Sequence, residues 1–91
     1  MTDSKIHHIV LTGNLDAAIT DWEPRLRVLF RTTLIGEDHD GRVIRFVTPS
    51  NPDRLRGIKI DSYEVHPTAL RARGYRDAKD ILTTRVLRNV T

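Results

Sequence analysis

The chain carries four histidines and no cysteine. A thiolate zinc site, a disulfide framework and a thiol nucleophile are therefore excluded. His7 and His8 are neighbours in a short apolar run that reads as a strand, so their side chains leave opposite faces and cannot chelate one ion together. At least one of them is expected to be a packed or edge histidine. Glu37, Asp38, His39 and Asp40 form an acidic stretch, but it does not fit the calcium loop. Counted from Asp38, the sixth and twelfth positions hold Val43 and Pro49 where glycine and glutamate are required. The stretch reads as a solvated turn, and neither a metal site nor a cofactor is expected.

In an open parallel sheet, ligands bind outside the carboxyl ends of the strands. Those ends would be Thr12-Gly13-Asn14, Thr48-Pro49-Ser50 and His66-Pro67-Thr68. Gly13, Asn14, Thr48, Ser50 and His66 are thus the candidate crevice residues, with His66 the one group suited to general-base work. The competing reading is local, because turns and caps use the same residue types for their own backbone hydrogen bonds. A second set of candidates is cationic: Arg71, Arg73, Arg76, Arg85 and Arg88, with Lys79 among them, could contact phosphates or a protein partner. A helix-turn-helix around Gly74 fails on paper, since Arg73 and Asp80 stand where apolar packing residues are needed. Aromatics make up only 5% of the chain, too few for a base-stacking platform. No nucleophile elbow, zinc-protease helix or dinucleotide glycine fingerprint is present, so no enzyme is indicated.

The elements that must position these residues follow from pattern. Ile6 to Thr12 is a β-branched run stopped by Gly13, a strand. Asn14 caps a helix whose apolar positions Leu15, Ala18, Ile19, Trp22, Leu26, Leu29 and Phe30 fall on one stripe. Pro24 lies opposite that stripe and predicts a kink or break near Asp21. Residues 31–41 read as a connection, with an extended piece at Thr32 to Ile35. Arg42 to Thr48 is the second strand. Ser50-Asn51-Pro52 opens a short helix that Gly57 closes, and Ile58 to Val65 is the third strand. From Arg76 onward, Ala78, Ile81, Leu82, Val86 and Val90 share a helical face. The order strand, helix, strand, short helix, strand, helix predicts one α/β domain over residues 1–91, in two or three layers, with a mainly parallel three-stranded sheet. The alternative is a hairpin across GEDHDG, which would make the sheet mixed.

The stretch Asp53-Arg54-Leu55-Arg56-Gly57 running into Ile58 to Val65 resembles the region around the second nucleotide-binding strand of terminase- and helicase-type P-loop ATPases. Ile9-Val10-Leu11-Thr12-Gly13-Asn14 sits where their phosphate loop would begin. The chain departs at the chemistry: no Gly-Lys-Ser/Thr follows, and His66-Pro67 stand where paired acids would hold magnesium. In length, layout and arginine content it also resembles small proteins of actinobacterial phages.

Composition narrows the classes. A chain of 91 residues is one domain with a modest core, and 38% hydrophobic with 30% charged residues marks a folded protein. No apolar run spans a bilayer and MTDSKIHH lacks a signal-peptide core, so a cytoplasmic protein without membrane contact is expected. Residues 1–45 carry six Lys/Arg against seven Asp/Glu, whereas residues 46–91 carry nine against five. Arg25, Val28 and Arg31 on the second half of the long helix, with Leu87 and Val90 on the last, place apolar groups beside arginine off the main stripes. That pattern suits a protein-binding module, joined to a partner or to itself as a homo-oligomer. The alternative is a nucleotide or nucleic-acid binder using the sheet's carboxyl edge and the basic half.

Overall fold

The computed structural model describes residues 5–50 and 52–90, with side chains through residue 87. Its strands are β1 (His7–Leu11), β2 (Leu26–Phe30), β3 (Ile35–Asp38), β4 (Val43–Val47) and β5 (Ser62–Val65), and its helices α1 (Leu15–Trp22) and α2 (Tyr75–Val90). Three 3-10 turns, Glu23–Arg25, Pro52–Arg56 and Pro67–Arg71, complete the order. The strands form one sheet in the order β2-β3-β4-β1-β5. β1 is parallel to both β4 and β5, while β2, β3 and β4 run antiparallel. The expected mainly parallel three-stranded sheet is therefore corrected to a mixed five-stranded one, in which a hairpin supplies the two extra strands.

The cause lies at Pro24. Asn14 caps α1 by accepting from the Ala17 amide at 3.1 Å, but the helix stops at Trp22 because a proline cannot donate to the ladder and crowds the preceding turn. The long helix predicted over 15–30 is thus half strand. Its last apolar positions misled because Leu26 and Leu29 do share a face. A bulge between Leu26 and Val28 sets two β2 residues against one on β3, which shifts the alternation by one and mimics helical spacing. The expected extended piece at Thr32 to Ile35 moves to Ile35–Asp38, after a turn that holds Leu34 at φ 58°. The third strand is shorter than Ile58 to Val65, and the short helix after Ser50 is a 3-10 turn. Asn51, part of its start signal, lies outside the described residues.

Two cores sandwich the sheet. On one face Val10, Ile44 and Phe46 pack against Ala18, Ile19 and Trp22 of α1. On the other, Ile9, Leu11 and Val47 meet Leu55, Ile60, Ala69 and, from α2, Ala78 and Leu82. Each large side chain removed from water contributes about 1.5–3 kcal/mol. This is a three-layer α/β domain. Among the described residues no helix is long and apolar enough to cross a membrane.

Candidate functional site

The crevice residues do converge. β1 leads to α1 on one face, whereas β4 and β5 lead to elements on the other, so the three carboxyl ends meet at a topological switch point. There the polar groups bind one another. Thr12 is fully buried; its hydroxyl donates to the Asn14 carbonyl at 2.8 Å and lies 2.9 Å from the Thr68 hydroxyl. Thr68 also accepts from the Gly13 amide at 3.0 Å. His66 places Nδ1 2.8 Å from the Thr68 hydroxyl and Nε2 2.8 Å from the Asp21 carboxylate. Thr48 and Ser50 pair with each other at 3.0 Å. Gly13 and Gly74 let the loops touch, since a Cβ on Gly13 would stand 2.2 Å from the Thr68 carbonyl oxygen and one on Gly74 2.2 Å from that of Pro49. Gly13, Asn14, Thr48, Ser50 and His66 thus serve largely as a local polar joint.

The arginines divide. Arg85 is committed inside the fold: its guanidinium donates to the carbonyls of Leu55, Arg56 and Ile58 at 2.9, 3.1 and 2.6 Å, tying α2 to the 3-10 turn Pro52–Arg56. Its candidacy as a surface contact is corrected accordingly. Arg71, Arg73 and Arg76 are all exposed, and none of the three makes an ion pair among the described residues. The Arg88 side chain lies outside the described residues.

The patch expected around Arg25, Val28 and Arg31 changes element, because these residues lie on and beside β2 rather than on a helix. Register places Val28, Phe30, Ile35, Glu37, Val43 and Arg45 on one face of β2-β3-β4, the continuation of the face on which α2 packs over β1 and β5. Phe30 is 61% exposed there. Glu37 lies between Arg27 at 2.8 Å and Lys5 at 3.2 Å, and these two hydrogen bonds hold its carboxyl below the usual range despite some desolvation. His7 faces the same side beside Val43. Its Nδ1 and the Nε of Arg45 are buried without a hydrogen-bond partner among the described residues. Burial, then Lys59, Arg45 and Lys5, lower the His7 pKa against the opposing pull of Asp61.

A third constellation escaped sequence reasoning. His8 points to the α1 face and is 6% exposed. Its Nδ1 lies 2.7 Å from the Ser62 hydroxyl and its Nε2 3.1 Å from Glu64 Oε1. Glu64 Oε2 accepts from Trp22 Nε1 at 3.2 Å, and Arg25 lies over the Trp22 ring at 4.5 Å. The signal was the alternation in Ser62-Tyr63-Glu64-Val65, which sends hydroxyl and carboxylate to one face; their histidine came from 54 residues earlier. The acidic stretch is exposed at His39 and Asp40, as expected, and departs from expectation at Asp38. Asp38 is not solvated but 4% exposed, bound to Arg42. Among the described residues no cluster of three or more histidine or carboxylate ligands is suited to a metal. No protein-family model matches this chain, and neither curated proteins nor solved structures give a match.

Proposed function

We propose that this chain is a protein-binding module, a small modulator that takes an acidic, extended segment of a partner protein along β2 and the open face beside it. The carrying observation is Phe30, 61% exposed on a sheet face that also holds two buried donors or acceptors without partners, His7 Nδ1 and Arg45 Nε. Large apolar groups beside arginine are the usual anchors of a protein interface. β2 is an edge strand, so its outward backbone groups can receive another strand while alternate side chains fill the adjoining face. Charge selects the occupant. Lys5, Arg25, Arg27, Arg31 and Arg45 surround the strand against Glu23 and Glu37. Two copies edge to edge would oppose like charges, whereas a carboxylate-bearing strand meets arginine throughout and offers acceptors to Arg45.

The test is titration of the labelled protein with a short peptide alternating glutamate and valine, followed by amide NMR shifts. Shifts confined to β2 and its neighbours, lost in Phe30→Glu and absent with a lysine-valine peptide, are expected. Equal shifts with both peptides, or none on β2, would sink the reading. A dimer in sedimentation that Phe30→Glu dissolves would assign the face to a second copy instead.

A second reading, nucleic-acid binding, is favoured by the unpaired Arg71, Arg73 and Arg76 near the carboxyl edge. Anisotropy with a labelled single-stranded oligonucleotide decides it. Phosphate contacts would give an affinity that falls with salt and drops when the three arginines become glutamine.

A further inference from the structure

Ser62, His8 and Glu64 form a hydroxyl-imidazole-carboxylate series whose protons can be assigned from the contacts alone. The indole Nε1 of Trp22 can only donate, so it fixes one oxygen of Glu64. The other oxygen accepts from His8 Nε2, which places the imidazole proton on that nitrogen. Nδ1 is then left as a lone pair facing the Ser62 hydroxyl at 2.7 Å. A nucleophile within hydrogen-bond reach of a base, with the base oriented by a third group, is the arrangement that activates serine. Trp22 is 2% exposed and the His8 ring lies tilted against it, 5.7 Å between centroids, while the Glu64 side chain, 40% exposed, is held by its bonds to both. β5 is the other edge of the sheet. The Asp61 amide is spent on the His7 carbonyl, and alternation turns the Ser62 amide toward the open side. That amide can donate to an oxyanion forming beside its own side chain.

We infer that Ser62 is an acylatable nucleophile, with His8 as general base through Nδ1 and Glu64 as its positioning residue, acting on small unhindered carboxylic esters. In the first step Ser62 Oγ bonds to the acyl carbon, its proton passes to His8 Nδ1, and the ester carbon-oxygen bond breaks as the leaving alcohol takes that proton. Water then adds to the acyl carbon under the same base, the acid departs, and Ser62 Oγ regains a proton. The site lies on the α1 face at β5, away from the β2 face proposed to bind a partner. The substrate class follows from its position: Ser62 stands on an edge strand, which admits a small acyl group.

The experiment treats the intact chain with a fluorophosphonate probe and locates any adduct by intact mass and peptide mapping. The proton leaves with fluoride as Ser62 Oγ bonds to phosphorus, so the expected product is one phosphonyl group on Ser62. Ser62→Ala should lose the adduct while keeping its circular dichroism spectrum. Glu64→Gln should retain Ser62 yet label at least about tenfold more slowly, part of the roughly 10²–10⁴-fold that a positioned base supplies. p-Nitrophenyl acetate turnover should fall in the same order. No adduct on the intact chain, an adduct elsewhere that survives Ser62→Ala, or a Glu64→Gln protein labelling as fast as its parent would each overturn the inference.

Discussion

The two oxygens of Asp38 are divided among Arg42 Nε at 2.7 Å and the amides of Asp40 and Arg42 at 3.0 and 2.8 Å. Burial pushes this carboxyl up, but the Arg42 guanidinium and the two amides outweigh it, so the pKa lies below its ordinary 3.8. His7 is likewise lowered from about 6.5, chiefly by burial. In both cases the unfolded chain binds the proton more readily, so both contributions to stability fade as pH falls. The His7 contribution begins to fade near 6.5, and the Asp38 contribution only below its unfolded value near 3.8. Urea titrations should therefore show His7→Gln flattening the pH dependence between about 6.5 and its lower folded value. Asp38→Asn should flatten only the most acid limb. At neutral pH Asp38→Ala is expected to cost about 1.5–3 kcal/mol, the range for hydrogen bonds to charged groups. An acid limb unchanged in Asp38→Asn would mean that the β3-β4 turn does not depend on this charge.

Two glycines with similar backbone angles separate a turn requirement from a packing requirement at the level of elements. Gly41 has φ +87° and Gly74 φ +85°, but a Cβ would meet open space at Gly41 and the Pro49 carbonyl at Gly74. Strain from the left-handed conformation costs about 1–3 kcal/mol, and forced overpacking a similar further amount. Thermal unfolding should therefore rank Gly74→Ala well below Gly41→Ala. Equal melting temperatures would show that the loop after β4 and the start of α2 do not bear on each other. Arg85 joins α2 to the turn at Pro52–Arg56 in a different manner, with one planar group answering three carbonyls. A lysine cannot present that fork. Arg85→Lys should recover little of the stability lost in Arg85→Ala, about 1–3 kcal/mol.

The whole molecule is a slab of 37 × 34 × 19 Å. Among the described residues, a short α1 and an α2 set over β5 and β1 leave the α2 side of β2-β3-β4 without a covering helix. For a small chain with a limited core, an occupant there adds apolar burial. The same layout bears on the P-loop resemblance. Phosphoryl transfer depends on positioning and charge neutralisation, and the β1-α1 connection brings neither lysine nor free cap. Asn14 fills the first turn of α1 with its own side chain, Asp16 adds negative charge there, and the Gly13 amide is taken by Thr68. Incubation with ATP or GTP and magnesium should release no phosphate above background. Steady release that His66→Ala abolishes would reverse that expectation.

The sequence by itself determined the features that are local. The β1 run, the Asn14 cap, the break brought by Pro24 and the opposite orientation of His7 and His8 all follow from φ/ψ preference, capping and alternation. Tertiary structure decided whatever depended on a distant partner. Leu26 to Phe30 carry apolar spacing that both a helix and a bulged strand satisfy, and only β3 alongside selects the strand. Arg85 looks like any surface cation until α2 is laid against Pro52–Arg56. His8, Ser62 and Glu64 become one network only because β1 and β5 pair in parallel with His8 opposite Ser62. Pattern fixes which face a side chain takes, but register between strands far apart in the chain is set by the burial of both cores at once, a non-local sum that no short window contains.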